Sequence, residues 1–143
     1  MSTDKSFVRV TWFGAVAAAL WATGSLAYAA EAPTMLSGDQ EVPPVVTTAT
    51  ATSDIVVGTD LYVNGGVTTT GIEATAAHIH VGAPGVSGPV AVTLAKTQPG
   101  RWSVPDGTKL SAAQYESFKA GNLYINVHSA EHAAGEIRAQ LKP

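Results

Sequence analysis

The sequence predicts an all-β domain: an antiparallel Greek-key or immunoglobulin-like β-sandwich, or a barrel, with one short helix. Three observations lead there. Short runs rich in Val, Ile and Thr recur along residues 30–143, each bracketed by Gly, Pro or an Asn-Gly signal. Several of them alternate apolar and polar residues with period 2, as half-buried strands require. No Cys occurs among the 143 residues, so an apolar core or a metal, not disulfides, must hold the chain together.

The elements follow in order. Thr34 to Gln40 reads as a weak edge strand, ended by Pro43-Pro44, which cannot donate to a ladder. Thr47 to Val57 is Thr- and Val-rich and reads as one strand. Asp60 to Val63 and Val67 to Ile72 flank Asn64-Gly65-Gly66, which predicts a hairpin. Ala76 to Val81 is the next strand, stopped by Gly82-Ala83-Pro84-Gly85, and Pro89 to Leu94 and Arg101 to Val104 follow. Ser111-Ala112-Ala113-Gln114 has the form of a capping box, Tyr115 and Phe118 share a helix face, and Gly121 supplies a stop. A helix is therefore expected over 112–120. Leu123 to His128 and Glu136 to Leu141 close the series as strands.

The first thirty residues differ from the rest. Lys5 and Arg9 precede an apolar, Ala-rich run from Val10 to Leu26, and Ala27-Tyr28-Ala29 offers small residues at both positions read by signal peptidase. We expect residues 1–29 to be a cleaved secretory signal and residues 30–143 to be one β domain, periplasmic or secreted. Gly14, Thr23, Gly24 and Ser25 interrupt the apolar run, which disfavours a retained membrane anchor. Losing residues 1–29 removes Asp4, Lys5 and Arg9 and leaves six basic against ten acidic residues. Such a balance supplies no phosphate-neutralising surface, so nucleic acid is not an expected partner. An anionic membrane surface is disfavoured for the same reason, and no membrane insertion is expected after cleavage.

The informative chemistry lies in the histidines. The chain has four, in two clusters: His78 and His80, then His128 and His132. In Ala77-His78-Ile79-His80-Val81 the side chains alternate faces, so the two imidazoles share one face while Ile79 and Val81 enter the core. In Leu123 to His128 the odd positions are apolar and the even ones polar, which puts His128 on the polar face near the following loop. His132 lies in that loop and can fold back over the sheet. If these strands are neighbours, three or four imidazoles meet. An imidazole cluster without thiolates suits copper(II), zinc or nickel, with copper favoured by intrinsic affinity and zinc the alternative. The competing reading is that the paired histidines only hydrogen-bond to Thr and backbone groups.

Four motifs carry a family resemblance. Leu36-Ser37-Gly38-Asp39-Gln40-Glu41-Val42-Pro43-Pro44, Ala77-His78-Ile79-His80-Val81-Gly82, Tyr124-Ile125-Asn126-Val127-His128-Ser129 and Gly135-Glu136-Ile137-Arg138-Ala139-Gln140-Leu141 resemble, in this order, the successive motifs of the CHRD (chordin) domain. The resemblance implies a β-rich domain of exported proteins. In chordin such domains belong to an antagonist of extracellular growth factors. The H-x-H strand with a later His also resembles the copper site of copper/zinc superoxide dismutase, but the Cys pair and the His/Asp zinc cluster of that family are missing here.

Weaker candidates surround the histidines. Glu131 is a candidate ligand or imidazole-orienting group, against the commoner role of a solvated loop charge. Asn126 is a candidate hydrogen-bond partner for His128. Glu136 and Arg138 share a strand face, which predicts an ion pair between them or across the sheet, and Arg138 alone is a weaker candidate for steering anions. Ser129, His128 and Glu131 have the letters of a hydrolase triad, but triads converge from separate parts of a fold and no nucleophile elbow is present. Three functions stay open: an exported copper-binding protein that binds, buffers or delivers the metal; a metal-free extracellular protein-interaction module; and, least favoured, a copper redox enzyme. Either a monomer or a homodimer joined along an edge strand is compatible with the sequence.

Overall fold

The computed structural model describes residues 32–143. Residues 1–29, the expected secretory signal, lie outside them. Among the described residues eleven strands form three antiparallel sheets, accompanied by one α-helix, and the two larger sheets enclose a common core. The first sheet has five strands: β1 (Thr34–Leu36), β2 (Thr50–Ser53), β5 (Gly66–Thr70), β9 (Arg101–Ser103) and β8 (Ala95–Gln98), neighbours in that order. The second has four: β11 (Ile137–Gln140), β10 (Leu123–Ser129), β6 (Ala74–Val81) and β7 (Val90–Thr93). A small pair joins β3 (Val56–Val57) and β4 (Val63–Asn64). This is the β-sandwich class expected from the alternation.

The strand faces explain the core. Ala77 and Ile79 of β6, Leu123, Ile125 and Val127 of β10, and Ile137 and Ala139 of β11 point inward and are almost fully buried. They pack with Leu36, Ala51, Val67 and Trp102 of the five-stranded sheet. One side of the sandwich is tied shut by a backbone bridge, in which Ser37 and Arg138 exchange both N–H···O bonds at 3.1 and 3.0 Å. A 3-10 turn, Gly38–Gln40, follows and leads into the Glu41–Val45 strap.

Three expectations about strands are corrected. The strand expected over 34–40 ends at Leu36, because the 3-10 turn takes over at Gly38. Residues 47–57 are not one strand, because the chain bends between β2 and β3. Ser53 Oγ accepts from the Ile55 N–H at 3.3 Å, and Asp54 exchanges two bonds with the Gly66 backbone, at 3.1 and 2.7 Å. Arg101 holds the Asp54 carboxylate from the other side at 2.9 Å. Nor is Asn64-Gly65-Gly66 a hairpin loop. β4 pairs with β3, whereas β5 pairs with β2 and β9, and Gly65, at φ +97°, turns the chain from one sheet to the next. A side chain at Gly65 would be strained in this left-handed region. β8 was not expected at all; its four residues are exposed, so no buried face marks them as a strand.

The helix forms as its sequence predicts, over α1 (Ala112–Lys119). Ser111 Oγ accepts from Gln114 N–H at 3.2 Å, and Gln114 Oε1 accepts from Ser111 N–H at 2.8 Å. Phe118 is its buried anchor. Ser111→Ala removes the cap acceptor and is expected to cost about 0.5–2 kcal/mol in urea denaturation. An unchanged midpoint would mean that Phe118 alone holds the helix.

Candidate metal centre

The outer face of the four-stranded sheet is polar yet buried. Its residues are set by register. Tyr124 stands opposite His80 on one side and Gln140 on the other, Asn126 opposite His78 and Arg138, and His128 opposite Ala76. His128 is therefore a diagonal neighbour of His78, within reach of an imidazole. Three segments cover this face. The Gly82–Gly88 loop and the turn at 130–135 approach from the strand ends, and the Glu41–Val45 strap lies beside them.

The result is a cluster of three imidazoles. One ring nitrogen each from His78, His80 and His128 lies within 4.8 Å of the others, and this is the only such ligand group of three among the described residues. Two of the rings have their tautomers set by backbone carbonyls. His80 Nδ1–H donates to Gly88 O at 2.9 Å, and His128 Nδ1–H donates to Ala133 O at 3.0 Å. A neutral imidazole with a proton on Nδ1 carries its lone pair on Nε2. His128 Nε2 accordingly accepts from His78 Nδ1–H at 2.9 Å. His80 Nε2 is buried and has no partner.

This arrangement fits a metal ion. Ligand nitrogens about 2.0–2.1 Å from an ion sit roughly 3.3–3.5 Å apart, between the closest approach seen here and the 4.8 Å limit. Metal-ligating imidazoles generally donate their second nitrogen to a carbonyl or carboxylate, as His80 and His128 do. His78 would join by moving its proton from Nδ1 to Nε2. The donor set is all nitrogen, which favours copper(II) and accepts zinc.

Burial, together with the neighbouring His128 and His80, holds the His78 imidazole below the ordinary histidine range. Burial lowers His128 as well, outweighing its bond to Ala133, and His80 adds to the effect. The unfolded chain therefore binds more protons than the fold as pH falls through about 6.5. The stability contributed by these two groups is present above that pH and is lost as pH falls toward their folded values. We expect the urea midpoint of the metal-free protein to drop between pH 7.5 and 5.5, and His78→Ala/His128→Ala to flatten the drop. Glu41 works in the opposite sense. Burial pushes its carboxyl up against the pull of Arg138, Asn126 and the Val42 N–H, so it favours the fold as pH falls. A midpoint that rises on acidification in both proteins would refute the histidine contribution.

The other expected residues are placed as follows. His132 is not among the three clustered imidazoles. It lines a cleft of about 240 Å³ with Glu41, Glu131 and Gly135, and its backbone carbonyl accepts from Gly135 N–H at 3.0 Å. Glu131 is exposed. Asn126 does not bond to His128; it neighbours Glu41, and its Oδ1 is buried without a partner. The expected Glu136–Arg138 pair does not form. Glu136 accepts from Thr47 Oγ at 2.7 Å, and burial, which would raise its carboxyl, is outweighed by Ser129, Thr47 and His132, which hold it low. Arg138 turns instead to the carbonyls of Ala83 and Val86.

A family model for the CHRD domain matches residues 32–141. The chain belongs to the CHRD family. Neither a curated protein nor a solved structure matches it. The four motifs that resemble CHRD sequences converge in this fold: three supply β6, β10 and β11, and the first supplies the strap beside them. All four border the buried polar face. Sequence reasoning missed Tyr124, whose ring lies flat on His80 with centroids 4.8 Å apart and planes 2° apart. Its position in the alternation, on the same face as Asn126 and His128, was the available signal.

Proposed function

We propose that this CHRD protein is an exported copper-binding protein that buffers or delivers the metal through His78, His80 and His128. The observation that supports the reading most directly is His80 Nε2. It is a buried lone pair without a partner, on a residue 9% exposed, beside two more imidazole nitrogens. A buried acceptor left unmatched costs about 1–3 kcal/mol, and an ion would satisfy it. When bound, copper would supply a positive, exchangeable centre. The chain's own part is to hold three imidazoles together and to bury two of them. The N-terminal pattern of residues 1–29 supports export.

Titration calorimetry of the purified protein with copper(II), and separately zinc(II), tests this. Stoichiometric, submicromolar copper binding that His78→Ala/His80→Ala loses is the expected result. Binding that is weak and survives the double substitution would overturn it. A second reading, a metal-free extracellular interaction module, draws on two exposed apolar side chains in and just after the strap, Val42 at 38% and Val46 at 103% exposed.

A further inference from the structure

We infer that Arg138 and Tyr124 are positioning residues for His80, acting through the Gly82–Gly88 loop. The inference rests on the copper reading for its affinity consequence only; the tautomer consequence stands without any metal.

Arg138 is 1% exposed and forms no ion pair with a carboxylate. A buried guanidinium is expensive to keep unless its donors are used. Here Nη2 shares its two hydrogens among three oxygens, Ala83 O at 3.0 Å, Val86 O at 3.1 Å and Gln140 Oε1 at 3.0 Å, while Nη1 is buried without a partner. Two of these belong to the loop, so Arg138 latches the loop to β11. Gln140 adds to the latch by donating to Gly82 O at 2.9 Å.

The same guanidinium, from β11 on one side of Tyr124, covers its ring at 3.4 Å from the centroid, and His80, from β6 on the other side, stacks on that ring. Guanidinium, phenol and imidazole thus form one stacked column. The column and the loop meet at Gly88. Tyr124 Oη accepts from Gly88 N–H at 3.2 Å, and Gly88 O accepts from His80 Nδ1–H at 2.9 Å. No side chain fits at Gly88, because a Cβ there would fall on the Val81 carbonyl. The Gly88 peptide can therefore lie directly against β6 and offer its carbonyl to the neighbouring ring.

His80 is in consequence held twice, on its face by Tyr124 and at Nδ1 by Gly88, and both restraints trace back to Arg138. The proton is pinned to Nδ1 and the lone pair to Nε2, the nitrogen that the metal site needs. A merely structural Arg138 would stabilise the loop without selecting a tautomer.

Imidazole ¹⁵N NMR of the metal-free protein reads the tautomer, and copper titration reads the affinity. The wild type is expected to show His80 with its proton on Nδ1 alone. In Arg138→Lys the two nitrogens should average, with copper affinity falling about 10–100-fold. Tyr124→Phe keeps the stack but removes the Gly88 acceptor; it should give a smaller shift in the same direction, and it serves if Arg138→Lys does not fold. A wild type already mixed at His80, or variants with unchanged tautomer and affinity, would overturn the inference. If the wild type binds no copper yet both variants scramble the tautomer, the positioning role holds and the copper reading falls.

Discussion

If the imidazole cluster binds copper(II) as proposed, the ion at a hundredfold excess over its dissociation constant is expected to raise the unfolding free energy by about 2.7 kcal/mol, through preferential binding to the fold. For a domain of this size that is roughly 8–15 °C in melting temperature. His80→Ala is expected to erase the shift, because two imidazoles do not replace three and the pinned lone pair is gone. The metal-free variant itself should lose about 1–3 kcal/mol, from the unmatched Gly88 carbonyl. Zinc(II) should give a smaller shift than copper(II) at equal concentration, following the intrinsic order of affinities. Scanning calorimetry on both proteins, with and without each ion, measures all four quantities. An equal copper shift in wild type and variant would put the ion somewhere other than this cluster.

The second large effect lies on the inward face of the neighbouring strand, β10. Ile125 is 0% exposed and sits mid-β10, opposite Ile79 of β6 and Ala139 of β11. Ile125→Ala removes three buried carbons and leaves a cavity between two sheets that cannot close over it, so the expected loss is about 2–5 kcal/mol. Against a total of about 5–15 kcal/mol for a typical domain, that is a severe loss. Copper binding below the new melting temperature should persist, since Tyr124, Asn126 and His128 project away from the void. A cost under about 1 kcal/mol would place the centre of the core elsewhere.

Much of this was legible in the chain itself, where local chemistry decides the outcome. The capping box at Ser111 and Gln114 marks the helix start without tertiary help. Alternation in Ala77 to Val81 and in Leu123 to His128 assigns His78, His80 and His128 to the outer, polar face, and burial of Ile79, Ile125 and Val127 agrees. What escaped depends on partners distant in sequence. The break after Ser53 is made by Gly66 and Arg101, neither of which is visible from a Thr-rich run. Asn64-Gly65-Gly66 has hairpin composition, but the strands on either side choose different neighbours. The Glu136–Arg138 pair failed for a related reason. Thr47, 89 residues away, takes the carboxylate, and loop carbonyls take the guanidinium. The site was half legible: His78, His80 and His128 were named and are together, whereas the loop position of His132 gave no periodicity from which to place it. The carbonyls of Gly88 and Ala133 carry no side-chain signal whatever.

The division of each strand into an inward and an outward row has a consequence for descent. β6 and β10 carry stability on one row and chemistry on the other, so a substitution at 78, 80 or 128 leaves the packed surface beneath it untouched. Ligand identity can then change along a lineage without the intermediate forms losing their shape. The outward positions are thus free to vary while the packed rows of β6 and β10 keep the same fold.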